Sequence, residues 1–121
     1  MSIPQITGCA FKIAEKTPGN NFYDKYYQYF KDRYINEANT TNDLFERLNI
    51  HPADKKDFVA DVLKGNINNA TNIIEAILII LYRLRNNLFH GEKQLYNIHN
   101  QYDNFNIANE FLAEILTINK E

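Results

Sequence analysis

Cysteine occurs once in the 121 residues, at Cys9, which excludes an internal disulfide and a zinc site built from cysteines. A single thiol fits a reducing, cytoplasmic setting. Long apolar runs are also missing. The most apolar stretch, Ile73 to Leu84, is broken by Glu75 and Arg83 and falls short of the roughly 20 residues that span a bilayer. Met1-Ser2-Ile3-Pro4-Gln5 has no basic start leading into an apolar core, which predicts no signal peptide and, with the broken run, no membrane partner. Charge of one sign is not in large excess. A net charge of −2 argues against a broad electrostatic nucleic-acid binder, but not against an enzyme with one locally basic cleft. No stretch alternates apolar and polar residues long enough to make a strand, and there is no internal repeat or low-complexity linker.

What is present reads as a single domain over residues 1–121, all-α, a compact bundle of about five to six helices. Its 45% hydrophobic and 23% charged residues are ordinary for a soluble globular protein. A chain of this length buries about two-thirds of its unfolded surface and needs no metal to fold. Ile6, Cys9, Ala10, Ile13 and Ala14 recur at helical spacing until Pro18-Gly19. Phe22, Tyr26, Phe30 and Tyr34 mark one stripe of a second helix, followed by a polar connection over 36–41. A short helix is predicted over Asp43 to Leu48, capped by Thr41 or Asn42. Pro52 suits the first turn of a fourth helix that carries Phe58, Val59, Val62 and Leu63 and stops at Gly65. From Ile73 the longest helix runs to near Gly91, apolar around most of its circumference, which predicts a central position. A last helix spans roughly Asn104 to Ile118.

The central helix ends in Tyr82-Arg83-Leu84-Arg85-Asn86-Asn87-Leu88-Phe89-His90-Gly91-Glu92-Lys93, a concentration of polar groups on the most hydrophobic segment of the chain. At about 100° per residue, Arg85 and His90 stand about 140° apart, while Asn86 and His90 form an i,i+4 pair. A helix that loosens at Gly91 lets the imidazole swing toward Arg85 and Asn86. Two readings fit these residues. Arginines near a helix C-terminus complement its dipole, and His-Gly is a common stop signal. The same residue types also suit phosphodiester chemistry on RNA. A histidine titrating near neutrality exchanges protons with a 2′-hydroxyl or a leaving 5′-oxygen, a guanidinium stabilises the charge that builds on phosphate, and an asparagine orients either. His51, His90 and His99 are scattered without metal-ligand spacing, so no metal and no cofactor is called for.

An arginine followed directly by a polar residue, with a histidine after four to six intervening positions, is the motif of the HEPN superfamily, and Arg85-Asn86-Asn87-Leu88-Phe89-His90 resembles it. The wider string through Gly91-Glu92-Lys93 is similar to the Apea-like branch, where an aliphatic helix leads into Arg-Asn, an apolar pair, His-Gly and a lysine. The motif covers about a tenth of the chain. The resemblance implies a compact helical domain that pairs as a homodimer, with two Arg-Asn-His sets lining one composite cleft that cuts RNA without metal. Arg85, Asn86 and His90 then match the catalytic positions. Arg83 satisfies the longer spacing but is followed by Leu84; it and Lys93 become candidates for RNA phosphate contacts. Such proteins often act in phage defence or as growth-arresting toxins, which implies a neutralising or regulatory protein partner. HEPN toxins paired with a nucleotidyltransferase antitoxin often carry tyrosine two residues after the histidine; Glu92 stands there and argues against that pairing.

Other residues have plainer expectations. The tyrosines at 23, 26, 27, 29 and 34 can stack on bases but are better read as core and interface. Lys55-Lys56 reads as a solvated face, His51 and His99 as surface residues, and Cys9 as a small core residue. Glu75, if buried, is a candidate polar contact across a dimer. Leu78, Leu81, Tyr82 and the preceding isoleucines offer more apolar surface than one bundle core should need, which predicts a dimer interface at the long helix. Two functions stay open: an endoribonuclease, or a non-catalytic HEPN module that dimerises or binds RNA within a larger assembly.

Overall fold

The computed structural model describes residues 3–89 and 102–119. Among them are six α-helices and no strand, apart from one isolated antiparallel bridge between Ile35 and Thr41. The expected all-α bundle is therefore what the chain forms. No helix among the described residues is long and apolar enough to cross a membrane.

Helix α1 (Ile3–Lys16) buries Ile6, Ala10 and Ile13, one stripe at spacings of four and three. Helix α2 (Asp24–Tyr34) buries Tyr26, Phe30 and Tyr34; Asp24 in its first turn and Lys31 and Arg33 in its last complement its dipole. A polar turn follows in which the Asn36 side chain accepts hydrogen bonds from the backbones of Ala38 and Thr40. Helix α3 (Asp43–Glu46) is capped by Asn42, whose side chain accepts from the Phe45 amide at 3.1 Å. The sequence named that cap as one of two candidates.

The next segment departs from expectation. Pro52 does not sit in the first turn of a longer helix but opens a separate 3-10 turn, Pro52–Asp54, capped by His51 Nδ1 accepting from the Ala53 amide at 3.0 Å. Lys55 then adopts a left-handed conformation with φ 71°, and only after that break does α4 (Lys56–Lys64) begin. Gly65, at φ 88°, closes α4 as expected, its amide reaching back to the carbonyls of Asp61 and Val62.

Helix α5 (Ala70–Phe89) starts three residues before Ile73, because Asn69 caps it by accepting from the Asn72 amide at 2.9 Å. Every residue from Ile73 to Leu81 is buried. The chain achieves this alone: α5 packs against α1, α2 and α4, while α6 (Tyr102–Asn119) lies against α1. The apolar surface that looked surplus to one bundle is covered by the chain's own helices, with Leu78 and Leu81 at 5% and 7% exposure. That removes the basis for placing a dimer interface on the isoleucine-rich part of α5. Of the tyrosines expected in core or interface, Tyr23, Tyr26 and Tyr34 are core, and Tyr27 and Tyr29 are half-buried against it. Tyr26 meets Phe111 of α6 edge-on, Phe30 stacks on Tyr34, and Tyr34 meets Phe45 of α3.

Candidate functional site

The last turn and a half of α5 is held against the turn that follows α3. Arg83 is half-buried; its Nε donates to the Leu48 carbonyl at 2.9 Å and its Nη2 to the Asn87 side-chain oxygen at 3.3 Å. Asn87, one helical turn on, donates from Nδ2 to the carbonyls of Arg47 at 3.2 Å and Leu48 at 3.4 Å. Carbonyls at the end of a short helix have no partner within it, and these two side chains supply one from outside. Leu48 itself is buried, and Asn49 turns the chain away with a left-handed φ of 56°. Arg83, Asn87, Arg47 and Leu48 thus form one knot.

This knot separates the two arginines that the sequence offered. Arg83 faces the protein. Arg85 lies about 200° further round the helix and is exposed, while Leu84 between them is 5% exposed and packed in the core. Asn86 is half-buried. α5 stays helical through Phe89, so Arg85 and Asn86 are both displayed from regular helix. His90 and Lys93 lie outside the described residues, as do Glu92 and His99.

Arg47, whose carbonyl the end of α5 engages, was not singled out in the sequence. Its only signal was a basic side chain at the end of a short helix, while what brings it to the end of α5 is a tertiary contact through its carbonyl. Arg47 is exposed, and no acidic group pairs with it among the described residues. Its neighbour Glu46 is engaged instead by Lys56, at 2.7 Å.

A second polar cluster lies elsewhere on α5. Glu75, 3% exposed, accepts from Thr7 Oγ1 of α1 at 2.8 Å and pairs with Lys55 Nζ at 2.5 Å. Glu75 is buried, as its use in a dimer contact required, but its partners belong to the same chain. Lys55, expected on a solvated face, is 39% exposed but turns its ammonium onto Glu75. The left-handed backbone at Lys55 places its side chain at the junction where it reaches both Glu75 and Thr7.

Tyrosine chemistry follows burial. Tyr29 donates to Asn104 Oδ1 at 2.6 Å, joining α2 to the first turn of α6, and Asn104 is 1% exposed. Burial pushes the Tyr34 phenol up to about 12, with the Arg33 guanidinium beside it acting the other way. Burial also raises Tyr26, helped by the Glu114 carboxylate. Neither phenol is suited to proton transfer near neutral pH.

A shallow groove of about 300 Å³ between α6 and the α1–α2 connection is lined by Asn20, Phe22, Ala113, Glu114, Thr117 and Ile118, without a basic side chain. Among the described residues no group of three or more His, Cys, Asp or Glu stands together. No family model matches the chain, and comparison with curated proteins and with solved structures yields no significant match.

Proposed function

We propose that the protein is a metal-independent endoribonuclease of the HEPN type, with Arg85, Asn86 and His90 as its catalytic set. The observation that carries this reading is the disposition of the last turn of α5. Arg85 is exposed and Asn86 half-buried on rigid helix, the end of that helix is fastened by Arg83 and Asn87, and His90 follows directly in sequence. In this reading His90 takes the proton of a ribose 2′-hydroxyl, whose oxygen attacks the adjacent phosphorus. The P–O5′ bond breaks and the leaving 5′-oxygen takes a proton from a His90 imidazolium, giving a 2′,3′-cyclic phosphate and a 5′-hydroxyl. Arg85 stabilises the extra charge on the phosphoryl oxygens, and Asn86 orients the imidazole or a phosphate oxygen.

The reading pairs two copies of the chain across one cleft. Because the isoleucine run of α5 is already covered, such pairing would use the exposed end of the helix around Arg85. Arg83 is engaged with backbone and amide acceptors of its own chain, so its first task is holding the site together and any grip on phosphate comes second.

The test is cleavage of total RNA by purified protein in EDTA, comparing the parent with His90→Ala and mapping the ends produced. Cyclic phosphate ends, lost in the variant, are expected. Strict dependence on a divalent metal, or 5′-phosphate products, overturns the mechanism.

A further inference from the structure

We propose that the outer face of α1 docks a second copy of this chain, the two α1 helices packing antiparallel with Phe11 of each copy seated over Gly8 of the other. This contact is separate from the pairing at the end of α5 that the ribonuclease reading uses, and either can fail without the other. Helix α1 buries Ile6, Ala10 and Ile13 on one side. On the opposite side Pro4, Gly8, Phe11 and Glu15 follow at spacings of four, three and four, and all four are exposed. Phe11, at 56% exposure, is the one aromatic among the exposed large hydrophobic residues described. Nothing lies within 4 Å of where a side chain on Gly8 would begin. A projecting ring therefore stands one turn from an open notch, and neither is covered by the described helices of its own chain.

The pattern reads the same from both ends. A two-fold axis crossing α1 midway between residues 9 and 10 pairs position 8 with 11 and position 4 with 15. Phe11 of each copy then fills the notch at Gly8 of the other, where the missing side chain lets the backbones approach. Charge fits the same register. α1 has no acidic residue in its first turn, while Glu15 sits in its last turn, at the negative end of its own dipole. Antiparallel pairing brings each Glu15 beside the first turn of the other copy at Pro4, where an anion is favoured. The two glutamates stand about 16 Å apart along the helices, at 1.5 Å per residue. A parallel pair would set Gly8 against Gly8, leaving a gap, and Glu15 against Glu15. The residue order thus selects the antiparallel arrangement. One helix of 14 residues offers an interface at the small end of the specific range, so the association is reversible, with Kd on the order of micromolar.

The test is sedimentation equilibrium of the full chain from about 1 to 500 µM, which brackets that range. F11A, G8F, E15K, L116A and the swapped double variant G8F/F11A are run beside the parent, with a melting curve for each. Gly8 faces open space, so G8F should fold at least as stably as the parent. Leu116, 61% exposed on α6, controls for the loss of an apolar side chain elsewhere. The axis repeats each contact, so F11A removes two and should weaken association about a hundredfold, about tenfold for each. G8F should do the same by blocking the notch, and E15K should weaken association less. G8F/F11A moves the ring to position 8 and the notch to position 11, which the same axis still pairs, so it should recover most of the affinity. L116A should associate as the parent does. A parent chain that stays monomeric throughout overturns the proposal. So does an association that F11A and G8F leave unchanged, or one that both weaken and the double variant does not restore. Loss with L116A would place the contact on α6 and overturn it too.

Discussion

Arg83 and Leu48 are joined side chain to backbone, the guanidinium Nε donating to a carbonyl oxygen 2.9 Å away at the end of a helix of only four residues. Removing that donor leaves the carbonyl with only the longer 3.4 Å bond from Asn87 Nδ2 and loosens the turn that follows α3. A hydrogen bond involving a charged group contributes on the order of 1.5–3 kcal/mol. Arg83→Ala should therefore lower stability by about 2 kcal/mol in urea titration, and an unchanged midpoint would show the clamp to be idle.

Arg85→Ala should behave in the opposite way. The side chain is exposed, so stability should stay within about 1 kcal/mol of the parent. Cleavage should fall about 10²–10³-fold, the usual cost of one lost donor to a developing charge. His90→Ala should match it in rate. Melting curves and rates measured on the same three preparations separate anchoring from chemistry. Stable, fully active Arg85→Ala protein would remove this residue from the mechanism.

The partly buried ion pair between Lys55 and Glu75 makes a prediction about packing. Lys55→Ala strands the Glu75 carboxylate between α1 and α5 with Thr7 as its remaining partner. Because Lys55 is 39% exposed, the loss should be about 2 kcal/mol, below the roughly 3–5 kcal/mol typical of a fully buried pair. Lys25→Ala breaks an exposed pair with Glu110 and should cost less than about 1 kcal/mol. Equal losses in denaturant titrations would mean that the burial of Glu75 carries no energetic weight.

Alkaline pH tests the aromatic core. The Tyr34 phenol rises from 10.0 in the unfolded chain to about 12 in the folded one, because burial penalises its anion. The folded state thus holds this proton more tightly. Its contribution is fully present below pH 10 and is lost as pH climbs toward 12, amounting to roughly 2–3 kcal/mol at 1.36 kcal/mol per unit. Tyr34→Phe should flatten that part of the stability profile without abolishing it, since Tyr26 shifts in the same direction. A profile identical to the parent's would refute the assignment.

Periodicity carried much of the fold. The spacing of Ile6, Ala10 and Ile13, of Tyr26, Phe30 and Tyr34, and of the α5 isoleucines announced three helices and their buried faces. It could not say what covers a face, which is why the α5 surface suggested a second copy when α1, α2 and α4 supply the cover. It also missed the break at Lys55. A lysine with positive φ leaves no mark in composition, and Pro52 fits the start of a long helix as well as a separate 3-10 turn. At the candidate site, adjacency along the chain gave Arg85 and Asn86, with Asn86 four residues before His90. It did not give the inward orientation of Arg83, because that depends on a carbonyl contributed from 35 residues away.

The unbroken burial of Ile73 through Leu81 has a consequence for motion. A helix with no solvent-facing side through its middle cannot peel from the bundle one face at a time, and its amides exchange with water only when the whole domain opens. Deuterium uptake along that stretch should therefore report the global unfolding free energy. Arg85 and Asn86 are carried at the end of this stiff spine.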